Sequence, residues 1–191
     1  MQNEGILPIY LYGSGILYKR TKDLTEEESS TPEIKKLISD MIATMVNGEG
    51  IGLAANQVGV LKSIIVLNQA SLEEVEIYNL PSVLINPHIV EESEEVVYTS
   101  EACLSFPHLT AQVERAKKIV VEYRDEMFQP QTITADGIGA VVLQHEIDHL
   151  RGMTMTLHVR GIERKRLDVV IKRITRAKAD MDVGYPSLIK K

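Results

Sequence analysis

Cysteine occurs once in these 191 residues, at Cys103. A single thiol excludes an intramolecular disulfide, and a thiol left free fits a reducing compartment. Long hydrophobic runs are also missing: no stretch reaches the roughly 18 apolar residues that a membrane-spanning helix requires. The segment Met1 to Arg20 places Glu4 early and Lys19-Arg20 late, the reverse of a secretory signal. There is no internal repeat or low-complexity tract. The formal net charge of −6 argues against a protein that binds nucleic acid with its whole surface, and no specific DNA partner is expected. With 44% hydrophobic side chains, the expectation is one globular domain over 1–191, with a substantial core, soluble and cytoplasmic, and with no membrane partner.

Against this background the pentapeptide His145-Glu146-Ile147-Asp148-His149 stands out. Positions i and i+4 share a helical face, so both imidazoles can reach one metal ion. The preceding apolar run, Ile138 to Leu143, would hold the start of such a helix in a core and shield its ligand face from bulk water. A divalent metal on two His needs at least one more protein ligand and an open position before it can activate water, and Cys103 is the obvious candidate. Asp148 precedes His149 by one position and points away from the shared face.

Hydrophobic periodicity places the other elements. Ser30-Thr31-Pro32-Glu33 has capping-box spacing, and Ile34, Leu37, Ile38, Met41, Ile42 and Met45 then recur at helical period. A helix should run to about Asn47 and stop at Gly48. Ser63–Asn68 reads as a buried strand, Val83–Val90 as a second interrupted by Pro87, and Lys118–Tyr123 as a third. Leu72 to Pro81 is acidic, ends in proline and reads as a loop. Arg160 to Lys178 is rich in Lys and Arg, with Leu167, Val170, Ile171 and Ile174 on one helical face, which predicts a basic amphipathic helix over about 162–180. Its outer side is either a solvated face on a packed helix or a contact for a polyanion such as ribosomal RNA. The fold class expected is α+β, with largely antiparallel sheets packed around a central HExxH helix and a C-terminal amphipathic helix.

Two further segments bear on a metal hydrolase. Gly50-Ile51-Gly52-Leu53-Ala54-Ala55-Asn56-Gln57 offers small residues that let backbone approach a ligand, and an amide donor at Gln57. Alone, such a segment reads equally as a tight packing contact. Glu101-Ala102-Cys103-Leu104-Ser105 surrounds the thiol, which alone reads as a buried inert one. Taken together and in this order, the three segments resemble the motifs GxGLAAxQ, EGCLS and HExDH of the peptide deformylases. The resemblance runs from about Ile6 to beyond Gly152. Ile6 to Tyr10, Leu84-Ile85-Asn86-Pro87 and Gln144 also look like that family.

The resemblance implies removal of the formyl group from the N-terminal formyl-methionine of nascent proteins. It makes Cys103, His145 and His149 ligands of a metal, usually Fe(II) and replaceable by Zn(II) or Ni(II), with water in the fourth position. It makes Glu146 the general base that deprotonates this water for attack on the formyl carbon and later protonates the leaving amine. The oxyanion falls to the Gln57 side chain, the Leu104 backbone N–H and the metal, while Ile51, Gly52 and Ala102 line the substrate.

Two positions depart from the pattern. The glycine of EGCLS is Ala102, and the arginine that many members carry seven residues past the Cys is Thr110. Arg115 matches a further family arginine that could pair with Glu101. Val141 and Val142 suit a methionine pocket or a core equally. Two alternatives stay open: another HExxH amidase or protease, which needs a downstream third ligand for which only His158 is available, and a divergent paralogue with weakened or altered activity.

Overall fold

The computed structural model describes residues 5–74, 80–159 and, beyond these, 164, 165, 167–169 and 171. In chain order the elements are α1 (Glu26–Ser29), α2 (Pro32–Asn47), β1 (Gly52–Ala54), β2 (Ile64–Leu67), α3 (Gln69–Glu74), β3 (Val83–Glu92), β4 (Val96–Ala102), β5 (Thr110–Ala116), β6 (Lys118–Arg124), β7 (Pro130–Asp136) and α4 (Gly137–Leu150). Five strands form one sheet in the order β1-β2-β3-β6-β7, while β4 and β5 form a separate hairpin. Every pairing between these strands is antiparallel. The fold is therefore α+β with antiparallel sheets.

Strand β2 shows why the sheet carries a helix on each face. All four of its residues, Ile64 to Leu67, are buried, and alternate side chains of a strand point to opposite faces. Ile65 and Leu67 join the core that contains Ala140, Leu143, Ile147 and Leu150 of α4. Ile64 and Val66 join Ile38, Met41 and Met45 of α2 on the other side. A third core packs Ala111 and Val113 of β5 with Phe106, Met155, Val159, Leu167 and Ile171. The hairpin is thus fixed from beneath by the residues that follow α4.

Helix α2 starts and stops as its sequence predicts, although its cap sits one residue later than the spacing suggests. Thr31, not Ser30, is the N-cap and accepts from the Ile34 N–H, and the chain leaves the helix at Gly48. The reciprocal capping box belongs to the short α1, between Thr25 and Glu28. Strand β3 extends past Val90 to Glu92, and its register with β6 shifts between Ile85 and His88, so Pro87 sits in a bulge that spares the ladder a missing donor. The expected loop from Leu72 to Pro81 begins instead with the last turn of α3, whose first residues follow Asn68, the acceptor for the Leu72 and Ser71 N–H groups. Strands β1, β4, β5 and β7 were not anticipated.

Of the basic C-terminal helix expected over 162–180, residues 164, 165, 167–169 and 171 are helical and the rest lie outside the described residues. Leu167 and Ile171 are buried, and Arg164 pairs with Asp168 and donates to the Thr156 carbonyl. No helix among the described residues is long and apolar enough to cross a membrane.

Candidate metal centre

Helix α4 is buried almost all round, and its polar residues therefore need partners inside the protein. His145 and His149 present their rings on one face, with centroids 5.0 Å apart. Cys103, in the turn that follows β4, comes up to that face from the hairpin. The Cys103 Sγ and His149 Nε2 atoms are 3.2 Å apart. One ligand atom from each of Cys103, His145 and His149 lies within 4.8 Å of the others; both histidines are buried and Cys103 is half-buried.

The His145 ring is oriented from behind by a hydrogen bond, whereas His149 Nδ1 is buried without a partner among the described residues. His145 Nδ1 lies 2.7 Å from Glu101 Oε2, which leaves its other nitrogen to face the cluster. Glu101 is itself held by Arg115, whose Nε and Nη2 donate to its two oxygens at 2.7 and 3.0 Å. The Arg115–Glu101 pair suggested by the sequence is thus present. His149 is fixed through its backbone, since Asn56 Nδ2 donates to its carbonyl oxygen. Asp148 turns away from the cluster, toward Arg115 and His158.

The glycine-alanine segment reaches the site from the opposite side. Gln57 accepts from the Ala54 N–H at 2.8 Å through Oε1, which fixes the amide so that Nε2 points at Ser105 Oγ (3.1 Å) and Cys103 Sγ (3.5 Å). The glycines serve a purpose that spacing did not disclose. A methyl group on Gly52 would lie 2.6 Å from Glu146 Oε1, and one on Gly50 would lie 2.8 Å from Leu104 Cδ1. What comes close to the Gly50–Gly52 backbone is therefore the protein's own glutamate and leucine. Ile51 and Val142 are half-buried and pack on the same core, whereas Val141 is buried. Ala102 is exposed at the end of β4, directly opposite Thr110 on β5.

Burial and neighbouring charges set these groups apart. Burial pushes the Glu146 carboxyl up to about 7, against the pull of the His145 charge, with the Glu101 charge adding to the rise. Its Oε2 atom is buried without a hydrogen-bond partner among the described residues. Burial also favours neutral imidazoles. At His149 the His145 charge adds to this and its pKa falls well below the ordinary value; at His145 hydrogen bonds to Cys103 and Glu101 reverse it and the pKa rises. Burial would raise Glu101, but hydrogen bonds from His145 and Arg115 bring it down to about 2.

These residues fit a divalent cation. A thiol and two imidazoles offer three convergent donors, and an unpartnered buried carboxylate oxygen lies beside them. Sequence reasoning brought together Cys103, His145, His149, Gln57 and Glu146. It missed Asn56, Ser105 and the Asp148–His158 contact, whose only signal was the polar character of residues in an apolar setting.

Three residues that could hold a metal ion, beside a buried acid and an amide donor, are the arrangement that a metal-dependent hydrolase would need. The sequence model of the polypeptide deformylase family matches residues 6–165, and the chain belongs to that family. It is 41% identical over 157 residues to the peptide deformylase of Aquifex aeolicus, covering 82% of this chain and 89% of that one. Identity to the Salinibacter ruber peptide deformylase is 37% over 192 residues, covering 97% and 95%. Among solved structures, the peptide deformylase of Ehrlichia chaffeensis superposes with a TM-score of 0.80 at 34% identity, over 93% of this chain and 99% of that one. A peptide deformylase from Plasmodium falciparum gives 0.81 at 30% identity, over 92% and 99%. The chain is accordingly an enzyme of the deformylase kind, a hydrolase that removes N-formyl groups from nascent peptides.

Proposed function

We propose that Cys103, His145 and His149 hold a divalent metal, Fe(II) in the cell with Zn(II) or Ni(II) as replacements, and that Glu146 is the general base and acid of deformylation. The observation that carries this is the buried Glu146 carboxylate with one oxygen unpartnered, next to three converging ligand atoms. The metal would supply Lewis acidity, making hydroxide available near neutral pH. Glu146 takes the proton of the attacking water and passes it to the amine that leaves when the C–N bond breaks. Gln57 Nε2 and the Leu104 N–H donate to the formyl oxygen as it gains charge; no hydrogen bond occupies that N–H among the described residues. Gly52 leaves room for Glu146, and Ile51, Gly52 and Ala102 run along the peptide.

The protease alternative needs a third ligand downstream, but His158 is engaged with Asp148, and Cys103 offers a ligand atom close to both histidines. Altered substrate preference has a specific basis in the direct pairing of Ala102 with Thr110. The basic segment Arg160 to Lys178 supports contact with ribosomal RNA; reversing Arg173 and Arg176 should weaken ribosome association, and an unchanged association would remove that part of the reading.

Anaerobic hydrolysis of formyl-Met-Ala-Ser by Fe(II)- or Ni(II)-loaded protein tests the main reading, beside Glu146→Ala loaded in the same way. Turnover should fall by about 10²–10⁴ in the variant with its metal retained. A fully metallated parent that does not turn over would overturn it.

A further inference from the structure

Arg115 joins two buried carboxylates, and each of those carboxylates has a histidine as its second hydrogen-bonding partner. Glu101 receives Arg115 Nε and Nη2 and pairs with His145 Nδ1. Asp148 Oδ2 receives Arg115 Nη1 and lies 2.7 Å from His158 Nε2. One guanidinium cannot satisfy two carboxylates in a dry site, so each needs its imidazole donor. The arrangement has two similar halves that differ in what the histidine faces. His145 faces the cluster of ligand atoms, whereas His158 faces a cleft of about 310 Å³ lined by Arg115, Asp148 and His158 but by none of Cys103, His145 or His149.

His158 is also where this chain of hydrogen bonds meets water. Its side chain is 27% exposed, against 3%, 4% and 8% for Arg115, Glu101 and Asp148. Removing the imidazole would leave one oxygen of Asp148 with a single donor and open the Arg115–Asp148 pair to the cleft. Water there raises the local dielectric and loosens a pair that holds Arg115, and with it Glu101, in place.

We infer that His158 is a positioning residue for the metal centre, acting through Asp148, Arg115 and Glu101 on the orientation of His145. This rests on the reading of Cys103, His145 and His149 as metal ligands. Effects on metal affinity should fall along the chain, largest at Glu101, smaller at Asp148 and smallest at His158. His158 Nε2 also lies 3.3 Å from Arg115 Nη1, but with its proton directed at Asp148 it cannot accept from that donor; Asp148 therefore carries the effect, and His158 should matter only while Asp148 is intact.

Co(II) is the probe, read by chelator competition and by the thiolate-to-cobalt absorption band. His158→Ala should lose Co(II) affinity about tenfold and alter the visible spectrum, as loss of an outer-shell partner does. His158→Gln, which keeps an N–H donor of similar reach, should stay within about twofold of the parent, and it carries the test if the alanine variant does not fold. In an Asp148→Asn background, His158→Ala should add nothing further. Equal affinity and spectrum for parent and His158→Ala, equal losses for Ala and Gln, or additive losses with Asp148→Asn would each overturn the inference. A parent that binds Co(II) without a thiolate band would instead overturn the ligand assignment itself.

Discussion

Helices α2 and α4 cover opposite faces of one sheet, yet they are built on different principles. Helix α2 buries Ile38, Met41, Thr44 and Met45 along one stripe, packs half-buried Ile34, Leu37 and Ile42 beside it, and exposes Glu33, Lys35, Lys36 and Ser39. Helix α4 buries 11 of its 14 residues, among them His145, Glu146, Asp148 and His149. The first is an ordinary amphipathic helix whose stability comes from apolar packing. The second carries four ionisable groups into the interior, each of which must be hydrogen-bonded, paired, neutralised or given to a ligand. The contrast teaches where stability and chemistry reside: substitutions on α2 should cost folding free energy, and substitutions around α4's polar face should cost turnover.

The sharpest way to separate the two is Gln57→Ala, which removes a donor beside the ligands and leaves the apolar cores intact. Turnover of formyl-Met-Ala-Ser should drop about 10²–10³-fold, against a stability loss in urea of only about 1–3 kcal/mol from the Ala54 N–H left without its acceptor. A drop below tenfold would take Gln57 out of the oxyanion site. On the α2 side, Met41→Ala empties a fully buried position and should cost about 2–5 kcal/mol of stability in urea titrations. Its turnover per folded molecule should match the parent, and a comparable loss of kcat would blur the division.

Acid should reveal the charged network behind α4. The folded pKa of Glu101, about 2, lies below the ordinary 4.5, so its contribution is present above that ordinary value and is lost as pH falls from there through the folded value. Asp148, buried but held low by His158 and Arg115, contributes in the same direction. Urea unfolding followed across this window should lose on the order of 3 kcal/mol from Glu101 alone. Glu101→Gln should be less stable at neutral pH and show a flatter acid limb; an unchanged limb would mean that the network is not what acid breaks. The smallest effect expected is at the α2 cap. Thr31→Ala should cost about 1 kcal/mol with no change in turnover, and a neutral result would show that Pro32 alone suffices to start the helix.

The same contrast explains what could be read from the sequence. Helix α2 was legible to its last residue because period, proline and glycine all report the same local structure. The residues that come together at the candidate metal site were legible as three short motifs resembling one family. Strands β4 and β5 were not, because β4 buries only Glu101 and β5 turns Ala111, Val113 and Arg115 inward. A buried arginine and glutamate read as surface residues until their partner is known. Asn56 and the carbonyl of His149 are 93 positions apart, and no periodicity connects them. The purpose of Gly50 and Gly52 was hidden for a related reason: the atoms that forbid a side chain there belong to Leu104 and Glu146, remote in the chain.

Ala102 and Thr110, the two departures from the family pattern, are partners across a single rung of the β4–β5 ladder. Side chains directly opposite one another on an antiparallel pair share space and energy. The departures therefore count as one change written in two places, and their effects should be strongly non-additive. A test of whether these two positions set substrate preference therefore has to change both residues together.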